Sequence, residues 1–131
     1  MFATGMMDPA PRKRILVAED DDAIATLLVK TLSLDYDVTL ARDGKEALAL
    51  ATKLRPDLLV LDVMMPGMDG LQVSRLVRKL EGLGRVPIVF VTAKDRPADV
   101  IKGIQYGARH YITKPFKLAD VRAKIAKIFK P

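Results

Sequence analysis

Side chains able to do chemistry follow several apolar runs of this sequence. They are Glu19 and Asp20 after ILVA (15–18), Asp62 after LLVL (58–61), Thr92 after PIVFV (87–91), and Lys114 shortly after YI (111–112). Three carboxylates brought together without a counter-charge would repel one another and favour a hard divalent cation. Since the set offers oxygen ligands and no thiol or imidazole, it predicts Mg²⁺, or Mn²⁺, rather than zinc.

The same residues predict phosphoryl chemistry. A Lys ammonium and a Thr hydroxyl opposite a metal ion would hold phosphoryl oxygens by charge and by hydrogen bonding. A carboxylate can itself act as a nucleophile and form an aspartyl phosphate. Asp62 is the best candidate for the nucleophile, because it follows the central strand, between the acidic pair on one side and Thr92 and Lys114 on the other.

Apolar runs alternate five times with segments of helical periodicity, which predicts the elements that position these residues. Predicted strands cover 15–18, 37–41, 58–61, 87–91 and 111–112; predicted helices cover 24–32, 45–54, 71–80 and 97–106, and a last helix ends near 129. The first, third and fourth strands are continuously apolar, which indicates burial on both faces. The pattern predicts an α/β fold in which five helices flank a five-stranded parallel sheet, with ligands bound beyond the carboxyl ends of the strands.

Composition indicates a single globular domain. The chain has 131 residues, half of them apolar, and no cysteine, which excludes a disulfide scaffold and a Cys-ligated metal site. No run is long enough to span a membrane and no signal peptide is recognisable, so we expect a cytoplasmic protein. We predict a flexible lead-in over residues 1–13 and the domain over 14–131. The formal charge of +6 is spread along the chain, which favours solvated helix faces over a nucleic-acid-binding surface.

Four stretches resemble the receiver domain of bacterial two-component response regulators. They are ILVAEDD (15–21), LLVLDVMMPGMDG (58–70), VPIVFVTA (86–93) and YITKPF (111–116), and the resemblance extends from about Arg14 to Phe129. It implies a flavodoxin-like fold with the strand order 2-1-3-4-5. It also implies a signalling switch that takes a phosphoryl group from the phosphohistidine of a sensor kinase and then loses it by slow self-hydrolysis.

The resemblance assigns the metal site and the phosphoacceptor. It makes Asp62 the residue that is phosphorylated. It makes Asp20 a direct Mg²⁺ ligand and Glu19 its acidic neighbour, acting through water. The backbone carbonyl of Met64 would complete the protein's share of the metal ligands, beside Asp62 itself. Glu19 stands where Asp is commoner in the family, a variation that leaves metal binding expected.

The resemblance also assigns the groups that hold the phosphoryl and report its arrival. Lys114 would pair with the phosphoryl group, and its peptide bond to Pro115 would be cis. Thr92 would be the switch hydroxyl, and the Ala93 amide a further phosphoryl donor. Tyr111 would be the switch aromatic, which moves inward when Thr92 moves to the phosphate.

Two kinds of protein partner are implied by the resemblance. A sensor histidine kinase or phosphotransfer protein would act upstream. A downstream partner would bind the face made by the fourth helix, fifth strand and fifth helix, unless an output domain takes that place. Many members carry Asp or Asn where Arg109 and His110 stand, so these two residues argue against the dimer that some members form there. Because the chain ends at Pro131, just after the last helix, we expect a stand-alone or an excised receiver.

Two alternatives belong to other functional classes. A Mg²⁺-dependent phosphatase that uses an aspartyl phosphate often has a second acid two residues after the nucleophile, but that position here is Met64. A basic nucleic-acid-binding module would depend on net charge and predicts salt-sensitive binding to DNA. We expect neither a conventional turnover enzyme nor direct nucleic-acid binding.

Overall fold

A computed structural model of the chain describes residues 11–93, 97, 98, 102, 105 and 109–130. Within that part, five strands and four helices have defined bounds. The strands are β1 (Arg14–Ala18), β2 (Asp37–Ala41), β3 (Leu58–Asp62), β4 (Ile88–Ala93) and β5 (His110–Lys114). The helices are α1 (Asp22–Leu32), α2 (Gly44–Leu54), α3 (Gly70–Val77) and α4 (Leu118–Phe129).

The five strands form one parallel sheet in the order β2-β1-β3-β4-β5, as predicted. Alternate residues of β3 point to opposite faces. Leu59 and Leu61 pack in one apolar cluster with α2 and α3, whereas Leu58 and Val60 pack in a second cluster with α1 and α4. Every residue of β3 is buried, which confirms the prediction that a continuous apolar run is covered on both faces.

An aspartate occupies the N-cap position just before each of the helices α1, α2 and α3. Each accepts a hydrogen bond from the backbone N–H three residues further on: Asp21 from Ile24, Asp43 from Glu46, and Asp69 from Gln72. A side-chain acceptor at this position satisfies one of the backbone donors that the first helical turn leaves unpaired. The loops that leave the carboxyl ends of β1, β2 and β3 therefore lead into well-defined helix starts beside the site.

Several elements differ from the sequence prediction at their ends, and for α3 and β5 the hydrogen bonds show why. α3 ends at Val77 rather than at Leu80, because the amides of Lys79 and Leu80 donate to carbonyls three residues back and tighten the chain. β5 runs from His110 to Lys114 instead of only 111–112, because it pairs with β4 along its whole length. Pairing with a buried neighbour thus extends a strand beyond its apolar residues.

Part of the predicted organisation lies outside the described residues. This applies to residues 1–10 of the predicted lead-in and to most of the predicted helix at 97–106, of which the described positions 97, 98, 102 and 105 are helical. The last predicted helix is α4. No helix in the part of the chain that the structure describes combines the length and the apolar character needed to cross a membrane.

Candidate functional site

The predicted site residues meet at the carboxyl edge of the sheet. The register of β1 with β3 puts Glu19 and Asp62 side by side, one residue beyond the last paired positions of β1. β4 brings Thr92 to the end of β3, and Ala93 lies opposite Lys114 on β5. The parallel topology therefore gathers residues that are up to 95 positions apart in the sequence.

Lys114 joins the two buried carboxylates. Its Nζ lies 3.0 Å from Asp62 Oδ2 and 3.2 Å from Glu19 Oε1. Burial alone would lower the pKa of Lys114, but its hydrogen bond to Asp62 and the charges of Asp62 and Glu19 outweigh that effect and raise the pKa. The ammonium therefore stays charged and balances one carboxylate of the two.

Glu19 carries the charge that Lys114 leaves unbalanced. Its side chain is fully buried, and Oε2 accepts a hydrogen bond of 3.2 Å from the Asp21 amide. Oε1 faces Lys114 as an ion pair but has no partner with hydrogen-bond geometry among the described residues. Burial, followed by the hydrogen bond and charge of Asp62, raises the pKa of Glu19 to about 7. An additional cation at this edge would offset the cost of burying the Glu19 charge and its repulsion from Asp62.

Glu19, Asp20 and Asp62 fit a divalent cation. Each offers a carboxylate oxygen, and these oxygens lie within 4.8 Å of one another. Ligands on opposite sides of Mg²⁺ are separated by roughly 4.2 Å, since each lies about 2.1 Å from the ion. Asp20 is exposed whereas the other two are buried, so the cluster has a solvent side where further ligands could enter. The all-oxygen set and the unbonded Glu19 Oε1 favour a hard cation.

The two predicted switch residues lie in different environments. Thr92 is 2% exposed, and its Oγ1 has no hydrogen-bond partner in the described part of the structure. A buried hydroxyl without a partner costs about 1–3 kcal/mol, so this group favours an incoming acceptor. Tyr111 is half-buried, and its ring stacks on Phe90 with centroids 5.8 Å apart. Burial raises the pKa of the Tyr111 phenol.

The turn after β3 fixes the Asp62 carboxylate. The Met64 amide donates a hydrogen bond of 3.1 Å to Asp62 Oδ1, while the Met64 side chain remains about half exposed. Gly67 adopts φ +76°, a left-handed conformation that glycine tolerates. The Lys114–Pro115 peptide bond is cis, as expected. Asp62 thus has one oxygen held by a backbone amide and the other by Lys114.

Gly70 is a site residue that sequence reasoning missed. A Cβ at Gly70 would overlap the backbone carbonyl oxygen of Asp62, and the Gly70 amide donates to the Val63 carbonyl at 3.0 Å. Asp69 before it caps α3 in a reciprocal bond with Gln72. The pair Asp69-Gly70 therefore lets α3 begin directly against the phosphoacceptor candidate. The dipeptide was visible in the sequence, but the close approach to Asp62 was not.

The sequence of residues 15–126 matches the family described as the response regulator receiver domain. This chain belongs to that family. The receiver is 43% identical over 119 residues to the alkaline phosphatase synthesis transcriptional regulatory protein PhoP of Bacillus subtilis (strain 168), a match that covers 90% of this chain and 49% of PhoP. The chain spans about half the length of the curated relatives it matches.

Solved structures agree with the fold of this receiver. The chemotaxis protein CheY4 of Vibrio cholerae superposes with a TM-score of 0.85 at 30% identity, covering 90% of this chain and 99% of CheY4. The receiver domain of a sensor histidine kinase from Pseudomonas aeruginosa PAO1 gives a TM-score of 0.81 at 34% identity, covering 90% of this chain and 97% of that one. That domain is described with a magnesium ion coordinated in its active site cleft.

Proposed function

We propose that this receiver is the phosphoacceptor switch of a two-component system in the cytoplasm of a bacterium, with Asp62 as the residue phosphorylated. The supporting observation is the Asp62 carboxylate, which is 4% exposed at the end of the central strand. It lies within ion-pair distance of Lys114 and beside the carboxylates of Glu19 and Asp20. A nucleophilic carboxylate, a cation and a metal-binding pair are the groups that phosphoryl transfer needs.

Asp20, Asp62 and the Met64 carbonyl would hold Mg²⁺ directly, or Mn²⁺ in its place, with Glu19 acting through water. The bound ion would neutralise charge on the oxygens of the transferred phosphoryl group. Support comes from the oxygen ligand set in this chain and from the magnesium described in the Pseudomonas aeruginosa receiver. Oxygen ligands that include an exposed carboxylate also suit an ion that keeps several waters.

In the transfer step, an Asp62 carboxylate oxygen attacks the phosphorus of a phosphohistidine on a sensor kinase or phosphotransfer protein. The new P–O bond forms as the P–N bond breaks, and the imidazole nitrogen leaves with the electron pair. Lys114, now 3.0 Å from Asp62 Oδ2, would pair with the phosphoryl oxygens. The unbonded Thr92 hydroxyl and the Ala93 amide would donate hydrogen bonds to them.

The switch would follow from the Thr92 contact. A phosphoryl acceptor draws the Thr92 hydroxyl towards Asp62, and the Tyr111 ring moves inward along the edge of the sheet. Tyr111 starts against Phe90, at the side of the face that we assign to a downstream partner. That face includes β5, α4 and the predicted helix at 97–106. Phosphorylation biases an existing equilibrium between two conformations rather than creating a new fold.

We propose a switch and not a turnover enzyme. The position two residues after Asp62 is Met64, whose side chain can neither protonate the leaving oxygen of a phosphomonoester nor act as a base on water, so the aspartyl phosphate would be hydrolysed slowly. Turnover of p-nitrophenyl phosphate at ordinary enzyme rates would contradict this part of the proposal. Measuring it on the same preparation separates a phosphatase from a receiver.

The test is phosphorylation by acetyl phosphate, followed by intact-mass spectrometry. With Mg²⁺, the wild-type chain should gain the mass of one phosphoryl group, and Asp62→Asn should not. Asp69→Asn is the matched control, because this acid stands seven residues further on and only caps α3, so it should still be phosphorylated. An equal mass gain in wild type and Asp62→Asn would overturn the assignment.

A further inference from the structure

A basic cavity lies at the opposite end of the sheet from Asp62. It has a volume of about 810 Å³ and is bounded by the end of α3, the 84–87 loop, the starts of β4 and β5, and the end of α4. Its titratable lining residues are Arg78, Arg85, Arg109 and His110. A cavity of this volume is in the range of small-molecule sites, which is about 300–1,000 Å³.

The cations of this cavity have no acidic partners in the part of the chain that the structure describes. Among those residues, no carboxylate lines the cavity and none of its three arginines forms an ion pair. Burial, and then the charge of Arg109, lowers the pKa of Arg78. Burial, and then the charges of Lys124 and Arg109, lowers the pKa of His110. The positive charges therefore repel one another, and an anion placed between them would be stabilised.

The cavity is partly organised before any ligand enters. The Arg78 guanidinium donates a hydrogen bond through Nη1 to the Val86 carbonyl, which fixes its position in the wall. Arg85 and Arg109 are exposed, and they are able to close on a ligand. Apolar lining comes from Val86, Pro87, Ile88 and Ile128. One wall can thus accept an uncharged ring while the arginines hold negative groups.

We propose that this cavity binds a small phosphorylated ligand with two or more phosphate groups, such as a nucleoside diphosphate or inorganic pyrophosphate. Guanidinium groups present paired donors that match phosphate oxygens, and several of them suit a ligand with several charges. The concave shape and the apolar wall favour a small molecule over a flat nucleic-acid surface. This proposal does not depend on phosphorylation of Asp62, which lies at the other end of the strands.

The test is calorimetric titration of the full chain with pyrophosphate and with ADP, in EDTA and in the Asp62→Asn background. Binding should be saturable and 1:1, with a Kd below about 1 mM. The double variant Arg85→Gln/Arg109→Gln should weaken binding about tenfold or more, because two charge-assisted contacts are lost. Arg122→Gln is the matched control: it removes an exposed arginine on α4 that pairs with Asp35, away from the cavity.

The outcomes of the titration support or overturn ligand binding in this cavity. If ADP binds more tightly than pyrophosphate, the apolar wall contributes; if the two bind equally, the phosphate groups supply the contacts. Both results support the proposal if Arg122→Gln changes the affinity less than about twofold. This small change is expected because solvent ions screen a charge that lies far from the cavity. No binding of either probe would overturn it, as would equal binding by the double variant. Arginine-dependent binding of duplex DNA without binding of pyrophosphate or ADP would also overturn it.

Discussion

The two ends of this sheet hold charge in opposite ways. At the carboxyl end, a single ammonium, Lys114, lies 3.0 Å and 3.2 Å from two buried carboxylates. At the amino end, one cavity is lined by Arg78, Arg85, Arg109 and His110, with no carboxylate among its described lining residues. The three central strands β1, β3 and β4 are mainly apolar between these ends, so their charged groups lie where the strands start and stop.

The difference between the ends follows from burial. Glu19 and Asp62 are almost completely inaccessible, so their charges are stable only with a counter-ion close by. Arg85 and Arg109 are exposed, so water screens them and they can remain unpaired. Burial makes the carboxyl end suitable for chemistry that depends on charge balance. Exposure makes the amino end suitable for capturing an anion.

The largest expected effect comes from removing Lys114, which contacts both buried carboxylates and is the only cation among the described residues that does so. Lys114→Met should lower the metal-free stability at pH 8 by about 3 kcal/mol, because it leaves two buried charges without a partner. Urea unfolding in EDTA measures the loss, and saturating Mg²⁺ should restore part of it. Lys117→Met, which removes an exposed lysine with no side-chain cap bond, is the control. Equal stability of the two variants would contradict the charge balance described for this end.

The pH dependence of the unfolding free energy should reveal the raised pKa of Glu19. The pKa of Glu19 is raised from 4.5 to about 7, so the folded state holds this proton more firmly than the unfolded state does. Its stabilising effect is complete below pH 4.5 and disappears as the pH rises through 7. The contribution is roughly 3 kcal/mol. It is measured as the difference in unfolding free energy between wild type and Glu19→Gln, in EDTA, from pH 4.5 to 8.

Saturating Mg²⁺ provides the control for this titration. The ion should keep Glu19 ionised, so the extra loss of stability between pH 4.5 and 8 should disappear. A metal-free difference between wild type and Glu19→Gln that stays constant over this pH range would show that Glu19 does not carry the unbalanced charge.

A smaller effect is expected at the Thr92 hydroxyl, which has no hydrogen-bond partner among the described residues. Thr92→Val should leave metal-free stability unchanged or raise it by up to about 1 kcal/mol, because a buried group without a partner is replaced by a methyl. Thr113→Val, at an exposed position of β5, is the matched substitution and should change little. Thermal unfolding of both variants provides the comparison. A clear destabilisation in Thr92→Val alone would mean that the hydroxyl already has a partner.

The smallest effect is expected at the amino end. Arg109→Gln should be neutral or stabilising by less than about 0.5 kcal/mol, because it removes repulsion between exposed cations. Arg122→Gln should be slightly destabilising instead, since Arg122 pairs with Asp35 at 3.1 Å. Both differences should shrink at high salt. If Arg109→Gln destabilises more than Arg122→Gln, the cations at this end are not mutually repulsive.

The sequence predicted that Glu19, Asp62, Thr92 and Lys114 meet at the carboxyl end of the sheet, because each lies next to a strong strand signal. Each site residue follows an apolar run, and parallel strands must bring those ends together. The prediction of strand order depended on the family resemblance. The length of β5 could not be predicted, because pairing with β4 recruits polar residues such as His110 and Lys114.

The basic cavity at the amino end of the sheet could not be predicted from the sequence, for a physical reason. Arg78, Arg85 and Arg109 are separated in the sequence by turns and by an element boundary, and each one alone indicates a solvated surface. His110 is the only histidine of the chain, so no second imidazole in the sequence marks a site. Only the packing of α3, α4 and the 84–87 loop around the starts of β4 and β5 brings them into one cavity. The contact of Gly70 with Asp62 was hidden in the same way.

Asp62 should take the phosphoryl group, beside the carboxylates of Glu19 and Asp20 that we propose as a metal site. Borohydride reduction of the acetyl-phosphate-treated chain converts a phosphorylated aspartate to homoserine, and peptide mass spectrometry then locates it. We predict homoserine at position 62 in the presence of Mg²⁺ and none in EDTA. Homoserine at position 20 or in place of another aspartate, with position 62 unchanged, would show that Asp62 is not the phosphoacceptor.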